Sequence, residues 1–499
     1  MGARSRPAGY ARRVGRDLVR RGGIPLLLAA ALCAACSSRP DGVVLVVVDT
    51  LRADHLGAYG YERRTSPRID ALAADATLFR TALAPAPWTL PSLATLMTSL
   101  YPSTHGAHAR SQVGRMEFMQ EGFVPVTALH ESHTTLAEVL GSEGFRTAAF
   151  VQGSYPSRVF GFGQGFEHFV DNEEPGLRFN VEAALEWLDA ERPQRFFLYI
   201  HTVEPHAPYA PYFFSRDRDR AEKAHGPALR EEVARYRDFD FDPDYEGPLD
   251  GSLESLAALE RQGPTARELY RLIALYDRGV RYTDHWVGRL LDALAERGLY
   301  DQSLVILTSD HGEELFDHGG YQHGKTYYEE IVRVPLILRV PGEGRGVAVE
   351  DQVGIIDVFP TVLDVLGIER DLALQGRSLR PLWRGLSLPE EPHFAEAARD
   401  QLQGYEAMRT RRWKYVRRGS TREELYDLER DPRERIDRCQ KDPAACEPFR
   451  RELEAWRGRM QEAARRLDLP PAAPVELDEE TRERLVALGY YERETPPSE

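Results

Sequence analysis

The stretch Val43-Val44-Leu45-Val46-Val47-Val48-Asp49 is a continuous run of apolar, mostly β-branched residues that ends at a carboxylate. Such a run is typical of a strand buried on both faces of a parallel sheet, because a half-exposed strand would alternate apolar and polar residues. Similar runs occur at 147–151, 196–200 and 304–308, separated by helical patterns such as 181–189 and 269–295. Strands that alternate with helices predict an α/β fold built on a central sheet.

Polar residues follow several of these predicted strands. In open α/β sheets, ligands bind outside the carboxyl ends of the strands. The candidates for chemistry are therefore Asp49, His201, His206, Asp310 and His311. Two carboxylates and an imidazole at neighbouring strand ends predict a site for a divalent metal ion.

A hydroxyl residue begins another candidate element, Trp88-Thr89-Leu90-Pro91-Ser92, which precedes the apolar run 93–100. Thr89 is predicted to be the N-cap of a helix, and Pro91 in the first turn agrees with that prediction. The amino end of a helix favours anions, so a nucleophile and an oxyanion could share this position. The alternative is that Thr89 only caps the helix.

Charge and composition limit the classes of partner. The chain has 499 residues, of which 42% are hydrophobic and 29% are charged, as in ordinary globular proteins. Its net charge is -15, and because residues 1–35 carry seven Arg and one Asp, the rest of the chain carries -21. An acidic protein of this kind is not expected to bind nucleic acid or an anionic membrane surface.

Residues 1–36 are predicted to be an export signal, with seven arginines ahead of the apolar run IPLLLAAALCAAC. That run is too short for a membrane-spanning helix, which needs about 20 residues. The sequence Cys33-Ala34-Ala35-Cys36-Ser37 resembles the lipobox of bacterial lipoproteins, which would make Cys36 the lipidated first residue of the mature chain. We therefore expect an exported bacterial protein, periplasmic or at the cell surface, anchored through a lipid; an ordinary cleaved signal is the alternative.

The remaining chain is predicted to hold a catalytic domain at 37–385, with a charged insertion at about 211–262, a small α+β subdomain at 386–470, and a polar tail at 471–499. Cys439 and Cys446 are the two cysteines after the signal. An oxidising compartment would allow a disulfide between them, whereas a zinc site is less favoured because no His or further Cys lies nearby in the sequence.

Taken together, the motifs resemble the sulfatase family of the alkaline-phosphatase superfamily, from Val43 to Tyr491. The segments that follow the family's order are Asp49-Thr50-Leu51-Arg52-Ala53-Asp54, Thr89-Leu90-Pro91-Ser92, Tyr101-Pro102-Ser103-Thr104-His105-Gly106, Pro205-His206-Ala207-Pro208-Tyr209, Ser309-Asp310-His311-Gly312-Glu313, His323-Gly324-Lys325, Val334-Pro335-Leu336-Ile337, Asp357-Val358-Phe359-Pro360-Thr361 and Glu424-Leu425-Tyr426-Asp427. The resemblance implies a central mixed sheet flanked by helices, with a smaller C-terminal α+β subdomain.

The resemblance also implies roles for individual residues. The metal would be held by Asp49, Asp310 and His311, with Thr89 reaching it as the nucleophile. His206 and Lys325 would contact the oxyanion of the ester, and His323 is a further candidate at the site. For His206 and Lys325 the alternatives are a structural histidine and a solvated lysine. His105 and His318 are expected to be structural.

The departures from the arylsulfatase pattern bear on the substrate. Typical members carry a Cys or Ser that is converted to formylglycine, with Arg four residues later; here these positions are Thr89 and Leu93. Threonine cannot become formylglycine, so no such group is expected. Thr50 replaces a common second carboxylate, and the Lys and His of a GKWHLG-like element are absent from 150–153.

Threonine nucleophiles do occur in the superfamily, in nucleotide phosphodiesterases and phosphoethanolamine transferases. We therefore expect a hydrolase of sulfate or phosphate esters, small or glycan-type, that uses one divalent ion (Ca²⁺, Mn²⁺ or Zn²⁺) and a covalent Thr89 intermediate. One metal is expected because Lys325 matches the residue that replaces the second cation in sulfatases. The alternatives are a phosphodiesterase or phosphoethanolamine-type transferase, and a non-catalytic binding protein on the same fold.

Overall fold

The computed structural model describes residues 39–108, 126–153, 155–172, 176–209, 239, 241, 242, 244–396, 405–419, 422–468 and 475–488. The predicted export signal, Cys36, and parts of the predicted insertion and tail lie outside these residues. No helix within the described ranges combines the length and the apolar composition needed to cross a membrane.

An eight-stranded mixed sheet forms the centre of the molecule, with the strand order β10-β2-β9-β6-β1-β5-β3-β4. β9 runs antiparallel to its neighbours β2 and β6, whereas the other pairs in this sheet are parallel. The described strands are β1 (Gly42–Val48), β2 (Thr77–Leu83), β3 (Arg146–Gln152), β4 (His168–Asn172), β5 (Phe196–Thr202), β6 (Ser303–Thr308), β7 (Glu314–Leu315), β8 (Tyr321–Gln322), β9 (Arg333–Arg339), β10 (Val347–Gly354), β11 (His393–Ala395), β12 (Glu406–Arg409), β13 (Trp413–Arg418) and β14 (Arg422–Asp427).

Helices cover both faces of this sheet, which explains why β1 is apolar without interruption. Val43, Leu45 and Val47 belong to one buried cluster, and the alternate valines of β1 belong to the cluster on the opposite face. The described helices are α1 (Pro67–Ala74), α2 (Thr89–Thr98), α3 (Pro102–His105), α4 (Leu136–Ser142), α5 (Leu177–Glu191), α6 (Leu253–Gln262), α7 (Ala266–Glu296), α8 (Glu329–Val332), α9 (Val358–Leu366), α10 (Arg380–Trp383), α11 (Arg438–Lys441), α12 (Glu447–Leu467) and α13 (Glu479–Ala487).

A second, antiparallel sheet of four strands lies near the C-terminus in the order β11-β12-β13-β14. The helix α12 packs on it through Trp456, whose ring stacks on Phe394 with centroids 4.3 Å apart. Cys439 and Cys446 form a disulfide beside this sheet, with Cα atoms 5.8 Å apart. The mixed central sheet and the small α+β subdomain predicted from the sequence are thus confirmed.

Candidate active site

The carboxyl ends of three adjacent parallel strands form the base of the site. β1 lies between β5 and β6, and Val47 of β1 is paired with His201 on one side and Thr308 on the other. Asp49 and Asp310 follow β1 and β6 by one and two residues, so their side chains meet at the same edge of the sheet. Both aspartates are buried.

A tight turn directs the chain away from β1 immediately after Asp49. Thr50 has a positive φ of 58°, a conformation that costs energy for a β-branched residue. Tyr276 of α7 holds the turn, because its hydroxyl donates to the carbonyl oxygen of Thr50 (2.7 Å) and accepts from the backbone N–H of Arg52 (2.9 Å). A neighbouring helix therefore stabilises the conformation that presents Asp49.

Thr89 reaches this carboxylate from the amino end of α2. Its Oγ1 lies 3.5 Å from Asp49 Oδ2 and 3.3 Å from His311 Nε2. The predicted N-cap position is wrong by one residue: Trp88 has the extended backbone of the N-cap (φ -159°, ψ 166°), and Thr89 is the first helical residue. The hydroxyl still lies at the positive end of the helix dipole, where an anion is stabilised.

The helix α2 is fixed to the segment that follows β6 by a second hydroxyl. Ser92 Oγ donates to the backbone carbonyl oxygen of Asp310 at 2.5 Å. All ten residues of α2 are buried, so the helix has little freedom to shift. The position of the Thr89 hydroxyl relative to Asp310 is therefore set by the packing of the core.

The carboxylates of the site have the features expected of cation ligands. Among the residues that the structure describes, Asp49 Oδ1 and Asp310 Oδ2 are buried and have no hydrogen-bond partner. Burial, reinforced by the charges of Asp310 and Glu313, raises the pKa of the Asp49 carboxyl well above its ordinary value. A buried carboxylate oxygen that has no hydrogen-bond partner raises the free energy of the folded state unless a cation lies beside it. The residues present therefore fit a divalent metal ion.

Two further residues extend this group. Among the described residues, ligand atoms of Asp49, Asp310 and His201 all lie within 4.8 Å of one another. The His311 ring, which lies beside both aspartates, has its Nε2 3.3 Å from Asp49 Oδ1 and 3.5 Å from Asp310 Oδ2. Both imidazoles are buried.

A row of histidine rings leads outward from His311. The centroids of His311 and His323 are 4.4 Å apart, and those of His323 and His206 are 4.9 Å apart. His206 Nδ1 donates to the carbonyl oxygen of Ala207. Burial, together with the neighbouring His323, lowers the pKa of His206 to about 3. The three imidazoles form a continuous row, of which His311 contacts the Thr89 hydroxyl.

Glu313 is a buried member of the site to which the sequence analysis gave no role. The short hairpin β7–β8 pairs Glu314 with Gln322, which brings the preceding Glu313 opposite His323. Its Oε1 lies 2.9 Å from His323 Nδ1, and burial raises the pKa of the Glu313 carboxyl to about 7. The sequence could have indicated this pair, because Glu313 and His323 are ten residues apart with a Gly-rich turn between them.

Lys325 is also a predicted site residue, but its charged end does not lie in the buried cluster. The side chain is exposed, and its Nζ lies 5.7 Å from the centre of the Tyr321 ring. The preceding residue is nevertheless close to the loop before Thr89, because Gly324 N donates to the carbonyl oxygen of Pro87 (2.9 Å).

The two histidines that were expected to be structural take part in hydrogen bonds that connect elements. His105 Nε2 lies 3.1 Å from Thr95 Oγ1 in α2. His318 uses both ring nitrogens, with Nδ1 2.6 Å from Glu330 Oε1 and Nε2 3.0 Å from the Arg433 carbonyl oxygen. His318 therefore has no nitrogen available for a metal, although Glu314, His318 and Glu330 are close together.

Two family models match the chain. The sulfatase model matches residues 42–368, which contain all the site residues described above. The model for the C-terminal part of N-sulphoglucosamine sulphohydrolase matches residues 317–456, which include all four strands of the small sheet.

Individual proteins are similar over most of the chain. An arylsulfatase of Clostridium perfringens is 25% identical, covering 79% of this chain and 89% of the relative. The multifunctional alkaline phosphatase superfamily protein PehA of Trinickia caryophylli is 28% identical, covering 79% of this chain and 90% of its own. The crystal structure of a phosphonate monoester hydrolase of Agrobacterium radiobacter shares the fold, with a TM-score of 0.63 at 23% identity over 85% of this chain and 96% of the other.

Proposed function

The chain belongs to the sulfatase family and is a sulfatase-like ester hydrolase, and on that premise we propose that Thr89 is its nucleophile toward sulfate or phosphate esters. The observation that carries this proposal is the position of the Thr89 hydroxyl, buried between Asp49 Oδ2 and His311 Nε2 at the amino end of α2. A threonine that only capped the helix would need neither neighbour.

We assign Asp49, Asp310 and His311 to one divalent cation, with Thr89 within reach of it. The sulfatase family is metal-dependent, and the orphaned oxygens Asp49 Oδ1 and Asp310 Oδ2 support the assignment. When bound, a divalent cation supplies positive charge that lowers the pKa of a hydroxyl and neutralises charge on the transferred group.

The proposed reaction has two displacements at sulfur or phosphorus. Thr89 Oγ1 forms a bond to that atom as the bond to the alcohol oxygen breaks, and the Thr89 proton passes to Asp49 Oδ2, which lies 3.5 Å away. The alcohol leaves with a proton. Water then attacks the sulfur or phosphorus of the Thr89 ester, which releases the acid and restores the hydroxyl.

We assign the remaining polar groups to the oxygens of the ester. His206 and His323 lie in ring contact beside His311, and each would donate to an oxyanion through a protonated Nε2, because Nδ1 is used by Ala207 and by Glu313 respectively. Glu313 accepts from His323 Nδ1 and thereby fixes the orientation of that ring. Lys325 is assigned to the same anion because it matches the lysine of the sulfatase motif and because its neighbour Gly324 is bonded to Pro87 in the loop that precedes Thr89.

The nucleophile favours phosphorus esters over sulfate esters. A formylglycine hydrate can release sulfate by breaking a carbon–oxygen bond, but a threonine ester must be hydrolysed at sulfur or phosphorus itself. Threonine has no aldehyde form, so no formylglycine is expected in this chain. The relative PehA is named multifunctional, and a phosphonate monoester hydrolase shares the fold, which supports phosphorus chemistry here.

The test compares hydrolysis of nitrophenyl sulfate, phosphate and phosphonate esters by wild-type protein and Thr89→Ala, with Ca²⁺, Mn²⁺ or Zn²⁺ added. We expect turnover of the phosphorus esters to be faster, and kcat to fall by at least about 10³-fold in Thr89→Ala. Thr98→Ala is the matched control, because it removes a buried hydroxyl that bonds to the carbonyl oxygen of Ala94 at the other end of α2. Equal turnover by Thr89→Ala and wild type would contradict the proposal.

We also propose that the protein is exported and anchored to a membrane by a lipid on Cys36. The support is the arginine-rich leader, its short apolar run and the lipobox-like sequence that ends at Cys36. The anchor is tested by labelling growing cells with an alkyne analogue of palmitate. If Cys36 carries a lipid, the membrane-bound protein should contain the label. Unlabelled protein released from the cell would exclude it.

A further inference from the structure

His201 is a buried imidazole at the site that the family's motif order does not include. It is the penultimate residue of β5, paired with Val47 of β1, and its side chain is completely buried. Its ligand atom and those of Asp49 and Asp310 lie within 4.8 Å of one another. Three metal-binding side chains therefore converge from three adjacent strand ends.

The hydrogen bonds of His201 define its tautomer. Its Nδ1 lies 2.9 Å from the backbone carbonyl oxygen of Gln152, and because a carbonyl can only accept, Nδ1 carries the proton and donates it. The Nε2 atom then presents a lone pair. Among the described residues this buried Nε2 has no hydrogen-bond partner. If the ring were a protonated imidazolium, Nε2 would carry a hydrogen and would donate it to one of the two neighbouring carboxylates.

Three side chains that can each donate an electron pair to a cation consequently converge at these strand ends. Asp49 Oδ1 and Asp310 Oδ2 are also buried without hydrogen-bond partners among the described residues. Lone pairs held this close repel each other, and burial strengthens the repulsion. A cation that all three atoms bind removes this cost.

The ring is held in place for such a role. Its Nδ1–H is used by Gln152 at the end of β3, and the backbone oxygen of His201 accepts from Asn180 Nδ2 at 2.8 Å. His311 has the same arrangement, because its Nδ1 donates to the carbonyl oxygen of Gly312 at 2.9 Å. Backbone acceptors that fix the tautomer are the usual support of metal-binding histidines.

We propose that His201 Nε2 is a further ligand of the cation held by Asp49, Asp310 and His311, and that the two imidazoles make the site selective for Zn²⁺ over Ca²⁺. Imidazole suits zinc, whereas calcium prefers oxygen ligands alone. The inference rests on the proposed metal site and adds both a ligand and an identity for the ion.

The test measures metal affinity, independently of catalysis. Metal-free wild type and His201→Ala are titrated with Zn²⁺ and with Ca²⁺ against a chromophoric chelator. We expect His201→Ala to weaken Zn²⁺ binding by at least about 10- to 100-fold and to change Ca²⁺ binding by much less. The d–d spectrum of the Co²⁺-substituted protein should also change. His133→Ala is the control, because His133 is buried and bonds to a backbone carbonyl oxygen, that of His105, at 2.9 Å.

A folded His201→Ala with wild-type Zn²⁺ affinity and Co²⁺ spectrum would overturn the inference. If that variant does not fold, the wild-type protein loaded with Mn²⁺ is used instead. Electron spin-echo modulation should then show two imidazoles coordinated to the ion. A single coordinated imidazole would overturn the inference. Asp49→Asn separates the two proposals. If it leaves Zn²⁺ affinity unchanged, the metal site itself fails; if it abolishes binding and His201→Ala does not weaken it, only the inference about His201 fails.

Discussion

Burial controls the protonation of single carboxyl groups in this protein, and Glu396 shows the effect away from the active site. Glu396 directly follows the strand β11, accepts from the backbone N–H of Ser103 at 2.7 Å, and is buried. Burial raises the pKa of its carboxyl from 4.5 to about 7. The charged form therefore opposes folding.

The pH dependence follows from this shift. Between pH 4.5 and about 7 the folded state binds more protons than the unfolded state, so the free energy of unfolding falls as the pH rises through that window. Glu396→Gln keeps an acceptor for Ser103 and does not ionise. We expect its stability to match wild type at pH 4.5 and to exceed it at pH 8 by up to about 3 kcal/mol, as measured by urea unfolding. The same difference at both pH values would contradict the prediction.

At the same scale, the sequence identified the residues that directly follow strands. Asp49, Asp310 and His311 could be located because strand ends meet at one edge of a sheet. His201 was a candidate by the same argument, but the direction of its ring depends on the Gln152 carbonyl, which belongs to another strand. Motif order gives neighbours along the chain, not the orientation of a side chain.

At the scale of elements, the long helix α7 supports the loop that carries His206. Gly279 of α7 lies directly against Pro205: a Cβ at position 279 would lie 2.7 Å from Pro205 Cβ and 2.9 Å from its Cα. Thr283, one turn further along, donates to the carbonyl oxygen of Glu204 at 3.2 Å. The helix and the loop are therefore packed closely enough that a shift of one displaces the other.

We therefore expect Gly279→Ala to displace the Pro205–His206 loop. The variant should lose about 1–3 kcal/mol of stability from overpacking and should turn over phosphorus esters more slowly. The control is Gly458→Ala in α12, where an added Cβ has no atom within 4 Å and helix propensity alone should add up to about 1 kcal/mol. Thermal unfolding and initial rates measure both effects. Equal stabilisation of the two variants would show that the close contact is unimportant.

The sequence predicted the existence of these elements better than their ends. The pattern at 269–295 identified α7 to within a few residues, because its apolar stripe continues over the whole helix. The start of α2 was misplaced by one residue, since Thr at the N-cap and Thr at the first helical position give the same pattern. The backbone angles of Trp88 decide between them, and tertiary packing sets those angles.

At the scale of the whole molecule, a buried lysine joins the small sheet to the catalytic part. Lys414 of β13 is completely buried, and its Nζ lies 2.8 Å from Glu329 Oε1 and 2.9 Å from Glu434 Oε1. It also donates to the carbonyl oxygen of Tyr327, two residues after Lys325. One ammonium group thus contacts segments that precede and follow the small sheet in the chain.

Removing this cation should destabilise the protein more than removing any exposed one. Lys414→Met leaves the buried carboxylate of Glu434 without its partner, so we expect a loss of about 3–5 kcal/mol in denaturant unfolding. Arg465→Ala is the comparison, because it breaks an exposed pair with Glu462 and should cost at most about 0.5 kcal/mol. Similar losses in the two variants would mean that the buried ion pairs of Lys414 do not stabilise the fold.

The central position of β1 has a consequence for how the enzyme is made. β1 is among the first strands to be synthesised, yet its partners β5 and β6 follow only at 196–202 and 303–308. During synthesis β1 therefore has no partner on either edge until β5 and β6 have been made. An apolar strand with unpaired edges is prone to aggregate. The Asp49 and Asp310 carboxylates meet only when that late pairing is complete. Recovery of hydrolysis during refolding therefore reports the pairing of β1 with β5 and β6, and we expect no hydrolysis from an N-terminal fragment that ends before β6.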